Sequence, residues 1–433
     1  MAELIGKDFT PPDIRAKVTG AAKYAEDFRM DGMLFCKLLK SPMPHALVRN
    51  IDARRALEME GVIASLTADE VPPQPGPANN ILTNEPHFVG EPILAVAAVD
   101  EQTAEDAIEA IVLDLEPRGF CVDPLESLRP GGPDARSDGN TYSRQEGVYA
   151  QKWTADDFRG VDEGQMPEGE PTMEWSYGDL DAAFAGASLV LDESFVTASH
   201  AHHSMEPRTC FAYWQNGKCF VHGSTQSQAF VVPGLANYIG IDPEDLVFIA
   251  EYCGGGFGSK GSAYPEMAVP AHMSRKTGRP VMMRVSRAEE YFLGRARCGF
   301  QGRIRMGFRD DGRLLACDLY IVQDNGPNTG FGDLGSGASA VSLVYTPEAM
   351  RFRGVQVLTN TPPRAAQRGP GQNQIACAVE PLLDKAAEGL GLDRVAIRHI
   401  NAPDSDSPYG PGRGRITSAH LKEALDLGAE RFD

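Results

Sequence analysis

The sequence predicts an α+β chain of more than one domain, and three observations carry that expectation. At 433 residues the chain is long enough for two or more separate cores. Short apolar runs of strand length recur, several of them parted by hairpin signals such as Asn216-Gly217 and Asp311-Gly312. A few segments place apolar side chains at helical spacing, and they are too sparse for a chain of repeated βαβ units.

Residues 1–121 read as the first domain. Its strands are expected at 34–39, 61–66 and 92–99, the last a continuous apolar run that ends at Asp100. Asp100 is suited to cap a helix in which Ala104, Ala107, Ile108 and Ile111 share a face. A further strand at 112–116 is closed by Pro117. Residues 122–174 are rich in Pro, Gly, Asp, Glu and Ser with little periodicity, which predicts a linker lying over the surface. Tyr149, Trp153 and Trp175 predict that parts of it pack. Residues 175–433 form the remaining domain, with strands at 188–195, 209–214, 281–285, 302–308 and 314–322. Helices are expected at 226–238, 265–276 and 374–390, and a last helical pattern covers 418–431. In the helix at 374–390, Ile375, Ala378, Val379, Leu382, Ala386 and Leu390 make one apolar stripe.

Sixty acidic side chains against 41 basic ones give a formal charge of −19, which repels nucleic acid and anionic lipid. No apolar run reaches the ~18 residues of a membrane span. The N-terminus has neither the basic start nor the apolar core of a signal peptide, so a cytoplasmic protein is expected. Eight cysteines are scattered from Cys36 to Cys377 without a C-x-x-C pair. That pattern predicts reduced, mostly buried thiols and offers no ligand spacing for an iron–sulfur cluster or a structural zinc.

Residues 251–261 carry the strongest chemical signal. Gly254, Gly255, Gly256 and Gly258 follow the apolar run 246–250, so a strand ends in bare backbone, and a helix is expected from Pro265. Such backbone can approach a large ligand and offer it several N–H donors. A plain turn is the blandest alternative. A Walker loop is excluded because Ser259, not Gly, precedes Lys260. The dinucleotide pattern G-x-G-x-x-G fits Gly256, Gly258 and Gly261, but the segment 280–285 runs into Ser286 and Arg287 where an acidic residue should stand. His200 and His202 share a strand face near His203 and Glu206, a geometry open to zinc, with no third ligand at the usual spacing.

Three features follow one another in order: Ser224-Thr225-Gln226, Gly254-Gly255-Gly256-Phe257-Gly258, and Arg368-Gly369-Pro370-Gly371. Together they resemble the molybdenum-cofactor subunit of the xanthine dehydrogenase and aldehyde oxidase family. Gly20-Ala21-Ala22, Ser41-Pro42-Met43-Pro44-His45, Gly90-Glu91-Pro92, Met205-Glu206-Pro207 and Arg398-His399-Ile400-Asn401 are similar to that family as well. The resemblance covers nearly the whole chain. It implies an N-terminal α/β hammerhead domain followed by the first half of the molybdopterin-binding domain. It further implies a molybdenum–molybdopterin cytosine dinucleotide cofactor, with Gln226 in a catalytic contact to an oxo group. Gly255, Gly256, Phe257 and Gly258 would line the pterin, and Arg368 would hold a phosphate or pterin oxygen. No side chain here would ligate the metal directly.

The resemblance puts Gly261 and Pro370 on the substrate side. Xanthine-oxidising relatives carry an acidic residue where Gly261 stands and a phenylalanine where Pro370 stands, and they place an arginine near Ser336. The purine-orienting set is thus absent. Carbon-monoxide-oxidising relatives carry a cysteine near the position of Arg368, and residues 367–369 supply none. The chain ends before the family's Gly-Gln-Gly motif and its general-base glutamate would appear. The expectation is therefore a split molybdenum subunit, similar to that of bacterial nicotinate dehydrogenase, or a truncated one. A second polypeptide would bring the glutamate, and [2Fe-2S] and FAD subunits would carry electrons. The expected activity is oxidation or hydroxylation, with water, of an electron-poor carbon in an N-heteroaromatic or aldehyde substrate. Two other readings stand beside it: a non-catalytic half that anchors cofactor and assembly, and an NAD(P)-dependent dehydrogenase using Gly256, Gly258 and Gly261.

Overall fold

Each of two mixed sheets forms the heart of one compact unit, in a computed structural model that describes residues 5–76, 79–329 and 332–432. The first unit holds residues up to 86, 90–116 and 203–294, and the second holds 87–89, 117–202 and 295 onward.

In the first unit, seven strands run in the order Leu246–Ile249, Lys218–Gly223, Cys210–Gln215, Val281–Met283, Leu34–Lys40, Pro92–Ala98, Val62–Thr67. Strands from the start of the chain therefore share a sheet with strands more than a hundred residues later. Leu34 pairs in parallel with Val281 and Phe35 with Met282. Pro92–Ala98 is buried at every position, as its unbroken apolar run requires of a strand covered on both faces. Asp100 caps the following helix, Glu101–Glu109, accepting from the Thr103 N–H at 2.8 Å. That helix turns Ala104 and Ala107 inward, and buried Lys37 bonds Glu101 at 2.6 Å and Glu105 at 2.8 Å. Helices Gln228–Ile239 and Ala268–Thr277 contribute Val231, Leu235, Val269 and Met273 to the main core. Asn216 and Gly217 both have positive φ, 51° and 79°, which a two-residue hairpin turn of the primed type demands.

In the second unit, the main path runs Gly147–Tyr149, Thr141–Ser143, Ala349–Val357, Leu314–Asp324, Gly299–Phe308, Leu189–Thr197, and Met173–Tyr177 pairs with Ala349–Val357. Period-two alternation sends Ile304, Leu319 and Phe352 into a core shared with helices Asp333–Tyr345 and Gln372–Leu390. On the opposite face, Leu128, Trp153 and Phe158 pack against Tyr320, Val322 and Val355. Most of the segment 122–174 is therefore built onto this sheet. All eight cysteines are free: six are buried, Cys253 is half-buried and Cys377 is exposed. Among the described residues, no helix is long and apolar enough to cross a membrane.

Candidate functional site

Strands Lys218–Gly223 and Leu246–Ile249 are parallel neighbours at one edge of the first sheet, joined by helix Gln228–Ile239. Ligand crevices in α/β sheets open at the carboxyl ends of such strands. Two loops leave the sheet there, 224–227 and 250–261. Gln226 precedes the helix and ties the loops together. Its N–H donates to the Lys260 carbonyl at 3.1 Å, and its Oε1 accepts from the Gly258 N–H at 2.9 Å. A backbone N–H can only donate, so the amide oxygen faces inward and the NH2 is left as a donor on the exposed side.

The glycines are needed for space and for backbone shape. A Cβ on Gly256 would lie 2.4 Å from Gln226 Oε1, and one on Gly254 would lie 2.4 Å from Glu206 Cβ. Gly255 and Gly258 have φ of +104° and +115°, and Phe257 itself has φ of +53°. Gly261 adjoins the same amide, for a Cβ there would stand 3.7 Å from Gln226 Nε2. Gln226, Gly255, Gly256, Phe257, Gly258 and Gly261 are thus brought together in one short surface region.

Beneath the loop lies a buried polar network that sequence reasoning missed. Glu206 Oε2 accepts from the Gly254 N–H and from the Ser224 hydroxyl, each at 2.6 Å. The Lys260 ammonium donates to the Glu206 carbonyl at 2.6 Å and to Ser224 Oγ at 2.8 Å, with its Nζ 3.7 Å from the Glu206 carboxylate. Burial pushes Lys260 below the usual lysine range, against the pull of Glu206. Arg208, also buried, pairs with Glu290 and donates to the Ser259 carbonyl at 2.9 Å. The only signal in the sequence was a Lys and a Glu flanking glycines and proline, and their pairing depends on the fold.

Arg368 and Pro370 belong to the second unit, in the loop before helix Gln372–Leu390. Arg368 is exposed and Pro370 half-exposed. The loop is laced from below by Arg297, which the sequence reading also missed. Its guanidinium donates to Gln367 Oε1 at 2.7 Å, to the carbonyls of Gly369 at 2.9 Å and Arg368 at 2.8 Å, and to Gln374 Oε1 at 2.7 Å. Burial lowers its pKa from the ordinary arginine value. Gly371 is obligatory, because a Cβ there would stand 2.0 Å from the Asp333 carbonyl. The histidines of the zinc reading are otherwise engaged. His202 Nε2 hydrogen-bonds the Ala366 carbonyl at 2.8 Å, and the His203 ring packs edge-on against Tyr291.

The first unit's loop suits a large group rich in oxygen. The N–H groups of Gly255 and Gly256 meet no acceptor among the described residues, neither residue carries a Cβ, and the Gln226 NH2 is a further donor. These are donors for oxo, pterin or phosphate oxygens, so the residues present fit a molybdopterin cofactor. A nicotinamide dinucleotide fits less well. Strand Leu246–Ile249 pairs with Lys218–Gly223, while the next strand, Val281–Met283, pairs with Leu34–Lys40 and Cys210–Gln215. The βαβ unit that a dinucleotide fingerprint should open is not formed.

Comparison with known proteins agrees. A family model described as "Molybdopterin cofactor-binding domain" matches residues 163–402, more than half of the chain. A second, "Aldehyde oxidase and xanthine dehydrogenase, a/b hammerhead domain", matches residues 19–119. The chain belongs to this molybdopterin-binding family. The aldehyde oxidoreductase of Megalodesulfovibrio gigas is 29% identical over 94% of this chain and 44% of its own length. The nicotinate dehydrogenase large molybdopterin subunit of Eubacterium barkeri is 26% identical over 99% of this chain and 96% of its own. A solved structure of the aldehyde oxidoreductase from Desulfovibrio gigas superposes with a TM-score of 0.84 at 26% identity, over 98% of this chain and 46% of that one. The chain thus spans about half the length of several relatives it matches and nearly all of the nicotinate dehydrogenase subunit.

Proposed function

We propose that this chain is one of two polypeptides that enclose a molybdenum–molybdopterin cytosine dinucleotide, and that the assembly oxidises an electron-poor carbon of an N-heteroaromatic or aldehyde substrate. The observation that carries this reading is the Gln226 amide, fixed through its oxygen to Gly258 N–H with its NH2 turned outward beside unused Gly255 and Gly256 donors. Bound, the cofactor supplies two-electron oxidation of a C–H bond with oxygen drawn from water.

The chain's own residues bind and orient. The Gln226 NH2 would face the bound cofactor as a hydrogen-bond donor that adds no charge. Gly255 and Gly256 would offer N–H groups to the pterin, in a turn that the positive φ at Phe257 helps to shape. Arg368 offers a planar fork for a phosphate or pterin oxygen. Gly261 carries no acid and Pro370 no aromatic ring where a purine oxidiser would have them. On this reading a second polypeptide would bring the general-base glutamate, and [2Fe-2S] and FAD subunits would carry the electrons away. The near-complete overlap with the nicotinate dehydrogenase large subunit supports the split arrangement. We place the assembly in the cytoplasm and take 1–121, 122–174 and 175–433 as its inherited segments.

The test is purification from the native source with co-purifying subunits, followed by metal analysis. Molybdenum near one per chain is expected, and Gln226→Ala should keep the metal while turnover falls by about 10²-fold or more, as for other lost oxyanion donors. An assembly devoid of molybdenum, or a Gln226→Ala enzyme of unchanged turnover, would overturn the reading.

A further inference from the structure

A second charged pocket lies on the outer face of the second unit's sheet, and the cofactor chemistry makes no use of it. Register sets Arg303 beside Tyr320 and Tyr320 beside Arg353. One step along, Arg305 lies beside Asp318 and Asp318 beside Arg351. Alternation along the strands then puts four guanidiniums on one face, while Ile304, Leu319 and Phe352 point into the core. Glu168 closes one side. The space enclosed is about 200 Å³. A liquid water occupies about 30 Å³, so a phosphate-sized oxyanion fits with a few waters.

A lattice of ion pairs that merely staples three strands is the plainer reading, and it accounts for most of the contacts. Arg351 meets Asp318 at 2.5 Å, Arg353 meets Glu168 at 2.7 Å and Asp318 at 3.4 Å, and Arg303 meets Asp192 at 2.5 Å and Glu168 at 3.1 Å. Asp181 acts on Arg351 only through space. Two donors are left over. Arg305 has no carboxylate partner among the described residues; its guanidinium stacks 4.2 Å from the centre of the Phe184 ring. Arg353 Nε also lacks an acceptor, but it is buried out of reach of the water-accessible space, so Arg305 alone supplies the spare fork. Four cations against three contacting carboxylates leave the cluster at +1, within a chain whose formal charge is −19. A surplus guanidinium at one small cavity is what an absent anionic acceptor would satisfy.

We propose that the pocket formed by Arg303, Arg305, Arg351 and Arg353 binds a small tetrahedral oxyanion, either free phosphate or the phosphate of a small monoester. The interleaved carboxylates set the affinity. The guanidinium forks favour a dianion with several acceptor oxygens over chloride, while the carboxylates offset part of the positive charge and keep the site weak enough to exchange.

The test is titration of the purified protein, in whatever assembly it forms, with inorganic phosphate, glycerol phosphate and sodium chloride at constant ionic strength, read by calorimetry and thermal melting. Saturable binding of either phosphate species, absent with chloride, is expected, and the stronger of the two identifies the source. Arg305→Gln should weaken binding at least 10-fold, and it disturbs no ion pair of the fold. Glu168→Gln removes one carboxylate from the wall and should tighten binding several-fold. No saturable response in the wild type, or an Arg305→Gln protein that binds equally well, would overturn the proposal. Weaker binding after Glu168→Gln would overturn it too.

Discussion

Breaking the ion pair under the glycine loop should cost more than dissolving it. Lys260 is fully buried and the Glu206 side chain nearly so, at 0% and 6% exposure, with Nζ and Oε2 3.7 Å apart. At that separation, in an effective dielectric of about 20, two unit charges attract by about 4 kcal/mol. Lys260→Met leaves Glu206 charged in the interior and strips a donor from its carbonyl and from Ser224. Glu206→Gln leaves Lys260 in the same plight. Each single change should cost about 3–5 kcal/mol, and the double variant should fall short of their sum by about 1–3 kcal/mol. Urea unfolding of the four proteins measures the cycle, with helical circular dichroism as the signal. Additivity within about 0.5 kcal/mol would refute the pairing. The pH dependence has a fixed sign. Folding holds Lys260 below its ordinary 10.5, so between the lowered value and 10.5 the unfolded chain binds more protons. Stability contributed by this group therefore rises with pH through that alkaline window, and Lys260→Met should remove the rise.

Two further outcomes are expected. Gly256→Ala should push the Gln226 amide off Gly258, because its Cβ would sit 2.4 Å from Oε1; turnover of the assembly should fall as far as in Gln226→Ala, while the melting temperature moves by only a few degrees. Arg297→Met should unlace residues 367–369 by removing four hydrogen bonds from a buried guanidinium. A loss of about 3–5 kcal/mol is expected in urea titration, and a change under about 1 kcal/mol would show that the loop holds itself.

What the sequence made legible was local or compositional. The all-buried strand Pro92–Ala98, the Asp100 cap, the Asn216-Gly217 turn and the stripe of helix Gln372–Leu390 each announce themselves within a dozen residues. Strand Ala349–Val357 was missed because Arg351, Arg353 and Gln356 break up its apolar run. Its charges are matched across the sheet by Asp318 and Glu168. Helix Asp333–Tyr345 was missed because Gly, Ser and Ala fill it; Gly337 lies where a Cβ would stand 3.0 Å from the Gly371 carbonyl. At the site, Gln226 and the glycines were legible through a family pattern. The pairing of Glu206 with Lys260 and the lacing by Arg297 were not, since a buried polar contact is defined by partners that folding alone supplies.

The register of Leu34 with Val281 has a consequence for how the chain is made. Nearly 250 residues must leave the ribosome after the early strand before its parallel neighbour exists. Until then, a nascent edge of apolar backbone is open to the wrong partner, and pairing over so long a loop is slow. Co-translational folding of the first unit cannot finish until Met283 has emerged, so chaperone capture is expected to fall in that interval.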